Sequence, residues 1–207
     1  MTQLDRLAEI AREGRAHFDA GRLEAAERCF LEAVAMGPDD DGVLHNLGVI
    51  RDRLGDLPGA EAWLRRAVSA APGHSEHLAA LGLVRLAQGE FAEGFRLYDS
   101  WRDTPGWSAD AAPALSIPRW RGETLIGKRV LVISEEGLGD QIMYARFVRL
   151  LQKRGAAVTW ICPAVMDRLF KAGLQVDTIL IGGEARVTAD FYLSSSALPV
   201  AFMPLLG

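Results

Sequence analysis

The sequence predicts a two-part chain of the α + α/β class, with helical hairpins first and a parallel strand–helix lobe second. Three observations predict this. A 34-residue repeat runs through the first hundred residues, a proline-rich stretch ends it, and β-rich apolar runs follow that stretch. The predicted boundaries are a repeat array over 1–105 (repeats about 7–40, 41–74 and 75–105), a linker over 106–120 and an α/β lobe over 121–207.

Small residues and prolines recur in register along the first part of the chain. The columns are Gly14, Gly48 and Gly82; Gly21, Gly55 and Gly89; Ala33 and Ala67; Pro38 and Pro72. The first column falls inside a predicted helix, where glycine is unfavourable unless a neighbouring helix approaches closely. Alanines such as Ala26 and Ala60 are expected to supply the small surface opposite. The second column suits left-handed backbone at a helix end, and the prolines stop the next helix. Each repeat is therefore predicted to be a helical hairpin.

These columns resemble the tetratricopeptide pattern closely over residues 10–38 and 44–72. A third repeat begins in register but departs from the pattern after Gly89. Its second helix, predicted over 91–101, carries an aromatic stripe at Phe95, Tyr98 and Trp101. The stripe is either a ligand platform or a docking surface for the next part of the chain. A terminal repeat has an apolar face that needs covering, which favours docking. The resemblance implies a protein or peptide partner for the repeats.

Composition and charge exclude several classes of function. The formal net charge of −4 provides no general attraction to nucleic acid or to anionic membranes. No apolar run approaches the roughly 20 residues of a membrane span. Cys29 and Cys162 are far apart and form neither a disulfide framework nor a zinc motif, so a cytoplasmic location is expected. His74 and His77 are one turn apart without a third ligand nearby in sequence, so no metal site is predicted.

The second half alternates predicted strands and helices. Val130 begins a β-rich run of the kind that is buried on both faces of a sheet. An amphipathic helix over 141–153 follows and is closed by Gly155. Further elements are predicted as strands over 158–162, 178–181 and 191–193 and a helix over 166–172. This rhythm predicts a partial, Rossmann-like parallel sheet.

The loop between the first strand and the first helix of the lobe is the candidate ligand site, because open α/β sheets bind ligands there. Gly137-x-Gly139 resembles the start of a dinucleotide fingerprint, but Ile142 stands at the third glycine position. Carboxylates at Glu136 and Asp140 also oppose a pyrophosphate, so NAD binding is rejected. The alternative is a loop that lets a substrate approach, with Asp140 as a general base or hydroxyl anchor. In a third, purely structural interpretation, the Asp140 carboxylate caps the helix by accepting a hydrogen bond from a backbone N–H group and does not contact a substrate.

The segment from Trp120 onward extends the resemblance. It reads Trp120-x-Gly122, Gly127-Lys128, a strand, then Glu136-Gly137-Leu138-Gly139-Asp140. It is similar to bacterial proteins in which tetratricopeptide repeats precede a two-lobed (GT-B) glycosyltransferase domain related to heptosyltransferases and, more distantly, to O-GlcNAc transferases. The resemblance implies that Asp140 is the catalytic base. It also implies substrate contacts from Glu136, where many relatives carry Gln, and from Gly137, Leu138, Gly139 and Gln141. A nucleotide sugar would be the donor substrate, a hydroxyl the acceptor, and no cofactor is implied.

In that family a second, C-terminal lobe holds the sugar nucleotide. No basic, glycine-rich diphosphate site follows Gly155 in this sequence. The chain is therefore expected to be the N-terminal part of a longer glycosyltransferase and to be inactive alone. The alternative is a non-catalytic scaffold whose repeats bind a protein and whose α/β lobe is structural.

Overall fold

The computed structural model describes residues 2–37, 39–100, 117–134, 137–173, 176–181 and 187–202. The chain divides into two compact units, Met1–Thr104 and Pro105–Gly207. Within these described ranges, no helix is both long enough and apolar enough to cross a membrane.

The first unit consists of helical hairpins. They are α1 (Gln3–Asp19) with α2 (Leu23–Met36), α3 (Asp41–Arg53) with α4 (Leu57–Ala70), and α5 (Ser75–Ala87) with α6 (Phe91–Ser100). Each helix packs against the next one, and α3 also contacts α5. Two apolar clusters form the core, one centred on Phe30 and Leu47 and the other on Leu64 and Leu81. The predicted hairpins are confirmed, although Pro38 and Trp101 lie outside the described residues.

The glycine columns have two structural causes. Gly21, Gly55 and Gly89 have φ angles of 73°, 81° and 86°, so the predicted left-handed turns are confirmed. Gly14, Gly48 and Gly82 lie where α1, α3 and α5 meet the following helix. A Cβ atom on Gly82, for example, would lie 2.7 Å from the backbone nitrogen of Tyr98.

The residues opposite the helical glycines are larger than expected. The side chains of Phe30 and Leu64 cover Gly14 and Gly48, and the backbone of Tyr98 meets Gly82. These three residues form a further 34-residue column. Of the alanines expected to supply the opposing surface, Ala60 lies opposite Gly48, with its carbonyl oxygen 3.3 Å from the Cβ position, but the side chain of Leu64 lies closer. Ala26, Ala33, Ala60 and Ala67 are fully buried in the core.

The second unit contains a four-stranded parallel sheet in the order β3-β2-β1-β4, which confirms the predicted α/β class. The strands are β1 (Arg129–Ile133), β2 (Ala157–Cys162), β3 (Thr178–Ile181) and β4 (Phe191–Ser194). The helices are α7 (Leu138–Ala145), α8 (Val148–Lys153), α9 (Asp167–Gly173) and α10 (Ala197–Phe202), and a 3-10 turn spans Ala164–Met166. Because β2 and β3 lie on one side of β1 and β4 lies on the other, the strand order reverses between β1 and β4.

The single helix predicted over 141–153 is wrong in two respects. Helix α7 begins earlier, at Leu138, and a break at Arg146 and Phe147 separates it from α8. The amide of Phe147 donates to the Tyr144 carbonyl at 2.9 Å, a tight turn that interrupts the α-helical ladder. This turn buries the Phe147 ring, whose centroid lies 6.4 Å from that of Phe202. The amphipathic pattern did not show the break because both helices face the same core.

The end of the predicted linker pairs with the sheet. The backbone amide of Trp120 donates to the Tyr192 carbonyl, and the amide of Tyr192 donates to the Pro118 carbonyl, both at 3.0 Å. Residues 118–120 therefore run beside β4. The indole Nε1 of Trp120 donates to the Glu123 carbonyl at 2.8 Å. Trp120 is 6% exposed and therefore belongs to the core of the lobe. Residues 106–116 of the predicted linker lie outside the described residues.

Candidate functional site

The candidate loop begins at the carboxyl end of β1. After Ile133, the amide of Ser134 donates to the Ile161 carbonyl of β2 at 3.1 Å. Gly137 then precedes α7 as its N-cap, with extended backbone at φ −61° and ψ 164°. Glu135 and Glu136 lie outside the described residues, so the predicted substrate contact of Glu136 cannot be placed. The loop is therefore described from Gly137 onward.

Asp140 is half-buried in the first turn of α7. Its Oδ2 atom would lie 3.4 Å from a Cβ atom on Gly137, so the glycine lets the carboxylate come close to the loop backbone. The N-cap position belongs to Gly137, and the interpretation of Asp140 as the cap itself is wrong. Asp140 is the third residue of the helix, where the helix dipole still favours a negative charge.

The neighbours of Asp140 divide into an open and a buried set. Leu138 is 45% exposed, and a Cβ atom on the exposed Gly139 would meet no atom within 4 Å. Backbone at Gly139 is thus accessible from solvent. Gln141, by contrast, is only 2% exposed, so its side chain lies in the interior of the lobe.

Three serines at the end of β4 adjoin this loop and were missed by the sequence reasoning. Ser194 pairs with Ile133 in the β1–β4 register, and the amide of Ser195 donates to the Ile133 carbonyl at 2.9 Å. Ser194, Ser195 and Ser196 are 5%, 0% and 1% exposed. The hydroxyls of Ser195 and Ser196 are buried, and among the described residues neither has a hydrogen-bond partner. The signal was the run of three serines directly after an apolar strand.

A pocket in the lobe lies away from this loop. It has a volume of about 560 Å³ and is lined by residues 122–126 and 153–155. These residues precede β1 and β2, so the pocket lies at the amino edge of the sheet. Ligands of open parallel sheets bind at the carboxyl edge, where Asp140 is located. The pocket is therefore not assigned to the Asp140 site.

A second candidate surface lies on the repeats. One stripe along each of α1, α3 and α5, at the same repeat positions, is exposed or only partly buried. We call it the repeat face, and it comprises residues 8, 11, 12, 15 and 19, residues 42, 45, 46, 49 and 53, and residues 76, 79, 80, 83 and 87. Its α1 end carries the exposed Arg12 and Arg15 together with Asp19, whereas Val49 on α3 and Leu83 on α5 are apolar, with Leu83 52% exposed. The face thus has a net basic α1 end and an apolar α5 end.

Comparison with known proteins identifies the repeats. Residues 12–75 match the model of the tetratricopeptide repeat family. This span contains α2, α3 and α4 completely, so these helices form tetratricopeptide repeats. Protein FlbA of Caulobacter vibrioides is 37% identical over 125 residues, which are 58% of this chain and 20% of FlbA. Tetratricopeptide repeat protein 7A of Homo sapiens is 37% identical over 70 residues, 34% of this chain and 8% of that protein. The matched segments thus cover a fifth or less of each relative.

Solved structures with a similar fold include an O-GlcNAc transferase mutant from Thermobaculum terrenum. It aligns over 86% of this chain and 42% of its own, with 18% identity and a TM-score of 0.49. Neither value carries functional information.

Proposed function

We propose that the repeats bind an extended or helical segment of a partner protein along the repeat face. The observation that carries this proposal is the exposed, partly apolar stripe on the tetratricopeptide repeats. Leu83 and Val49 lie at the same position of successive repeats and offer apolar contact area outside the core. Burying such area is the main source of affinity when a peptide lies in a groove.

The charges on the repeat face favour one class of partner. Arg12 and Arg15 are both exposed at the α1 end. Acidic residues in the partner would therefore lie near α1, and apolar residues near Val49 and Leu83. Charge complementarity of this kind fixes the direction in which a segment binds.

A displayed library of random peptides tests this function. Selected peptides should carry acidic and apolar residues and bind with micromolar Kd in fluorescence anisotropy. Leu83→Glu should weaken binding by at least about tenfold, because it places a charge in the apolar part of the repeat face on α5. The matched control is Leu31→Glu, which changes a similarly exposed leucine on α2, outside the repeat face. Equal losses in both variants, or no enriched peptide, would contradict the proposal.

A second candidate function is glycosyl transfer by the α/β lobe. The observation that favours it is the position of Asp140 beside the exposed backbone of Gly139. Both lie at the carboxyl edge of the sheet, where the strand order reverses between β1 and β4. In this role the Asp140 carboxylate would take the proton from an acceptor hydroxyl that attacks the donor sugar. Bringing a protein acceptor to this carboxylate would then be the task of the repeats.

A transfer assay with labelled nucleotide sugars tests this candidate. It uses the protein expressed from its full reading frame. Asp140→Asn should lower transfer by about 100-fold or more without changing the unfolding midpoint. The matched control is Asp167→Asn, another carboxylate in the first turn of a helix that follows a strand. Activity should persist in that control. A fully active Asp140→Asn protein, or a wild type without transfer to any acceptor, would remove this candidate and leave the binding function.

A further inference from the structure

Three of the four histidines converge with an aspartate on the repeats. Asp41 is the first residue of α3, and His74 and His77 lie at the start of α5. His77 Nε2 lies 2.8 Å from Asp41 Oδ2, and His77 Nδ1 lies 3.1 Å from His45 Nδ1. The rings of His74 and His77 are stacked with centroids 4.0 Å apart. We call these four residues the histidine cluster.

We infer that Asp41, His74 and His77 bind a divalent transition-metal ion of the zinc type, with His45 as the residue that orients His77. One ligand atom from each of the three lies within 4.8 Å of the others. Two imidazoles and one carboxylate are a ligand set that suits zinc and leaves a coordination position open. The site joins α3 and α5, the first helices of two successive repeats.

Metal binding requires the His74 ring to rotate out of its stack on His77, because two nearly parallel imidazole rings 4.0 Å apart cannot both direct an in-plane lone pair at one ion. In tetrahedral zinc sites with bonds of about 2.0–2.1 Å, neighbouring ligand atoms lie about 3.3 Å apart. The pair formed by His77 and Asp41 at 2.8 Å must therefore open by about half an ångström. His74 is exposed and the Asp41 side chain is 43% exposed, so both can move and an ion can enter from solvent. His77, at 3% exposure, is the fixed ligand.

His45 supplies the support that metal-binding histidines require. When Nε2 of His77 binds the ion, Nδ1 carries the proton and donates it in a hydrogen bond to Nδ1 of His45. The Nδ1 atom of a neutral His45 ring lies 3.1 Å away and accepts this hydrogen bond.

Two features bear on affinity and specificity. The amino-terminal ends of α3 and α5 oppose a cation, so we expect micromolar affinity. Among the described residues, Glu13, His17 and Cys29 form the other group with metal-ligand spacing. There, Nε of Arg22 donates to Nδ1 of His17 at 2.8 Å, and burial raises the pKa of the Cys29 thiol. Both effects disfavour metal binding at that group.

Calorimetric titration of the tag-free, EDTA-treated protein with Zn²⁺ tests the inference. The wild type should bind about one ion per chain with micromolar Kd, and Co²⁺ should give visible absorption bands of a four-coordinate site. His74→Ala should weaken binding by at least about tenfold, and because His74 is exposed the variant should fold, which circular dichroism checks. Asp41→Asn should weaken binding similarly.

Two control variants separate this site from its alternatives. Asp52→Asn removes an exposed carboxylate at the other end of α3 from Asp41 and should leave zinc affinity unchanged. His17→Gln removes the histidine of the other group and should also leave it unchanged. Absence of stoichiometric binding in the wild type would overturn the inference and leave a purely hydrogen-bonded cluster. Binding that survives His74→Ala but is lost in His17→Gln would overturn it as well.

Discussion

Ser194 lies opposite Ile133 in the parallel β1–β4 ladder, so the chain leaves β4 beside the strand end from which the Asp140 loop departs. The next amide, that of Ser195, continues this pairing by donating to the Ile133 carbonyl. The carboxyl ends of β1 and β4 thus lie side by side, at the point where the strand order of the sheet reverses. Ser195 and Ser196 bring buried hydroxyls to this edge of the sheet.

Ser195→Ala should stabilise the protein. The Ser195 hydroxyl is completely buried and has no hydrogen-bond partner in the part of the chain that the structure describes, so folding desolvates it without compensation. Removing such a group should raise the free energy of unfolding by about 1 kcal/mol, measured by urea denaturation.

Ser69→Ala is the matched control for this variant. The Ser69 hydroxyl is exposed and donates to the Arg65 carbonyl at 2.8 Å, so its loss should change stability by less than about 0.5 kcal/mol. A destabilisation of Ser195→Ala by more than about 1 kcal/mol would contradict this account of its environment.

Gly48→Ala should destabilise the repeats although alanine is the better helix former. A Cβ atom at position 48 would overlap the side chain of Leu64, which is fully buried and has no space to move. Overpacking costs about 1–3 kcal/mol, against a helix-propensity gain of about 1 kcal/mol. The free energy of unfolding should therefore fall by up to about 2 kcal/mol in urea denaturation.

The control for this substitution is on the same helix. A Cβ atom on the exposed Gly42 would lie 3.5 Å from Asp40 Oδ1, an ordinary contact. Gly42→Ala should thus be neutral or stabilising by up to about 1 kcal/mol. Equal effects at positions 42 and 48 would show that close helix packing is not the reason for the 34-residue spacing of Gly14, Gly48 and Gly82.

The repeats were predictable because each one repeats the same local rules. The turn glycines Gly21, Gly55 and Gly89 need left-handed backbone, and a 34-residue register makes this requirement visible in one sequence. The parallel lobe was predictable from its alternating apolar runs. The break before α8 was not, because Phe147 turns inward to reach Phe202 and this contact leaves no periodic signal.

Sites that combine distant residues were the hardest to predict. Asp41 and His77 are 36 residues apart, so the pair formed by His74 and His77 lacked a third ligand until the fold brought Asp41 beside it. Asp140 could be placed from its loop, since a strand–loop–helix motif is local. Ser195 could not, because its proximity to β1 depends on the order of strands in the sheet.

Ser134→Ala should destabilise the lobe through Trp160. The indole Nε1 of the fully buried Trp160 donates to Ser134 Oγ at 2.6 Å. Without this acceptor a buried N–H group loses its partner, which costs about 1–3 kcal/mol of unfolding free energy in urea denaturation. In a double-mutant cycle, Ser134→Ala should cost less once Trp160→Phe has removed the donor, with a coupling of at least about 0.5 kcal/mol. Additive effects of the two substitutions would contradict the hydrogen bond.

The stability of the repeats should fall below neutral pH because of His45. Burial, and then the charge of His77, lower the pKa of His45 below its ordinary value of 6.5. The unfolded chain therefore binds a proton near pH 6.5 that the folded protein does not, and the free energy of unfolding decreases as pH falls from there toward the lower, folded pKa. The hydrogen bond from His77 lowers the pKa of Asp41, so its contribution is present throughout this window and is lost only below the ordinary value of 3.8.

Urea midpoints at about pH 7.5 and about pH 5.5, in EDTA, measure this effect. The decrease between the two pH values should be smaller in His45→Gln than in the wild type, because glutamine takes up no proton in either state. Asn46→Gln, a neutral change beside His45 on α3, should keep the wild-type decrease. If His45→Gln kept it too, the titration of another group would be responsible, and His45 would not be held neutral by its burial.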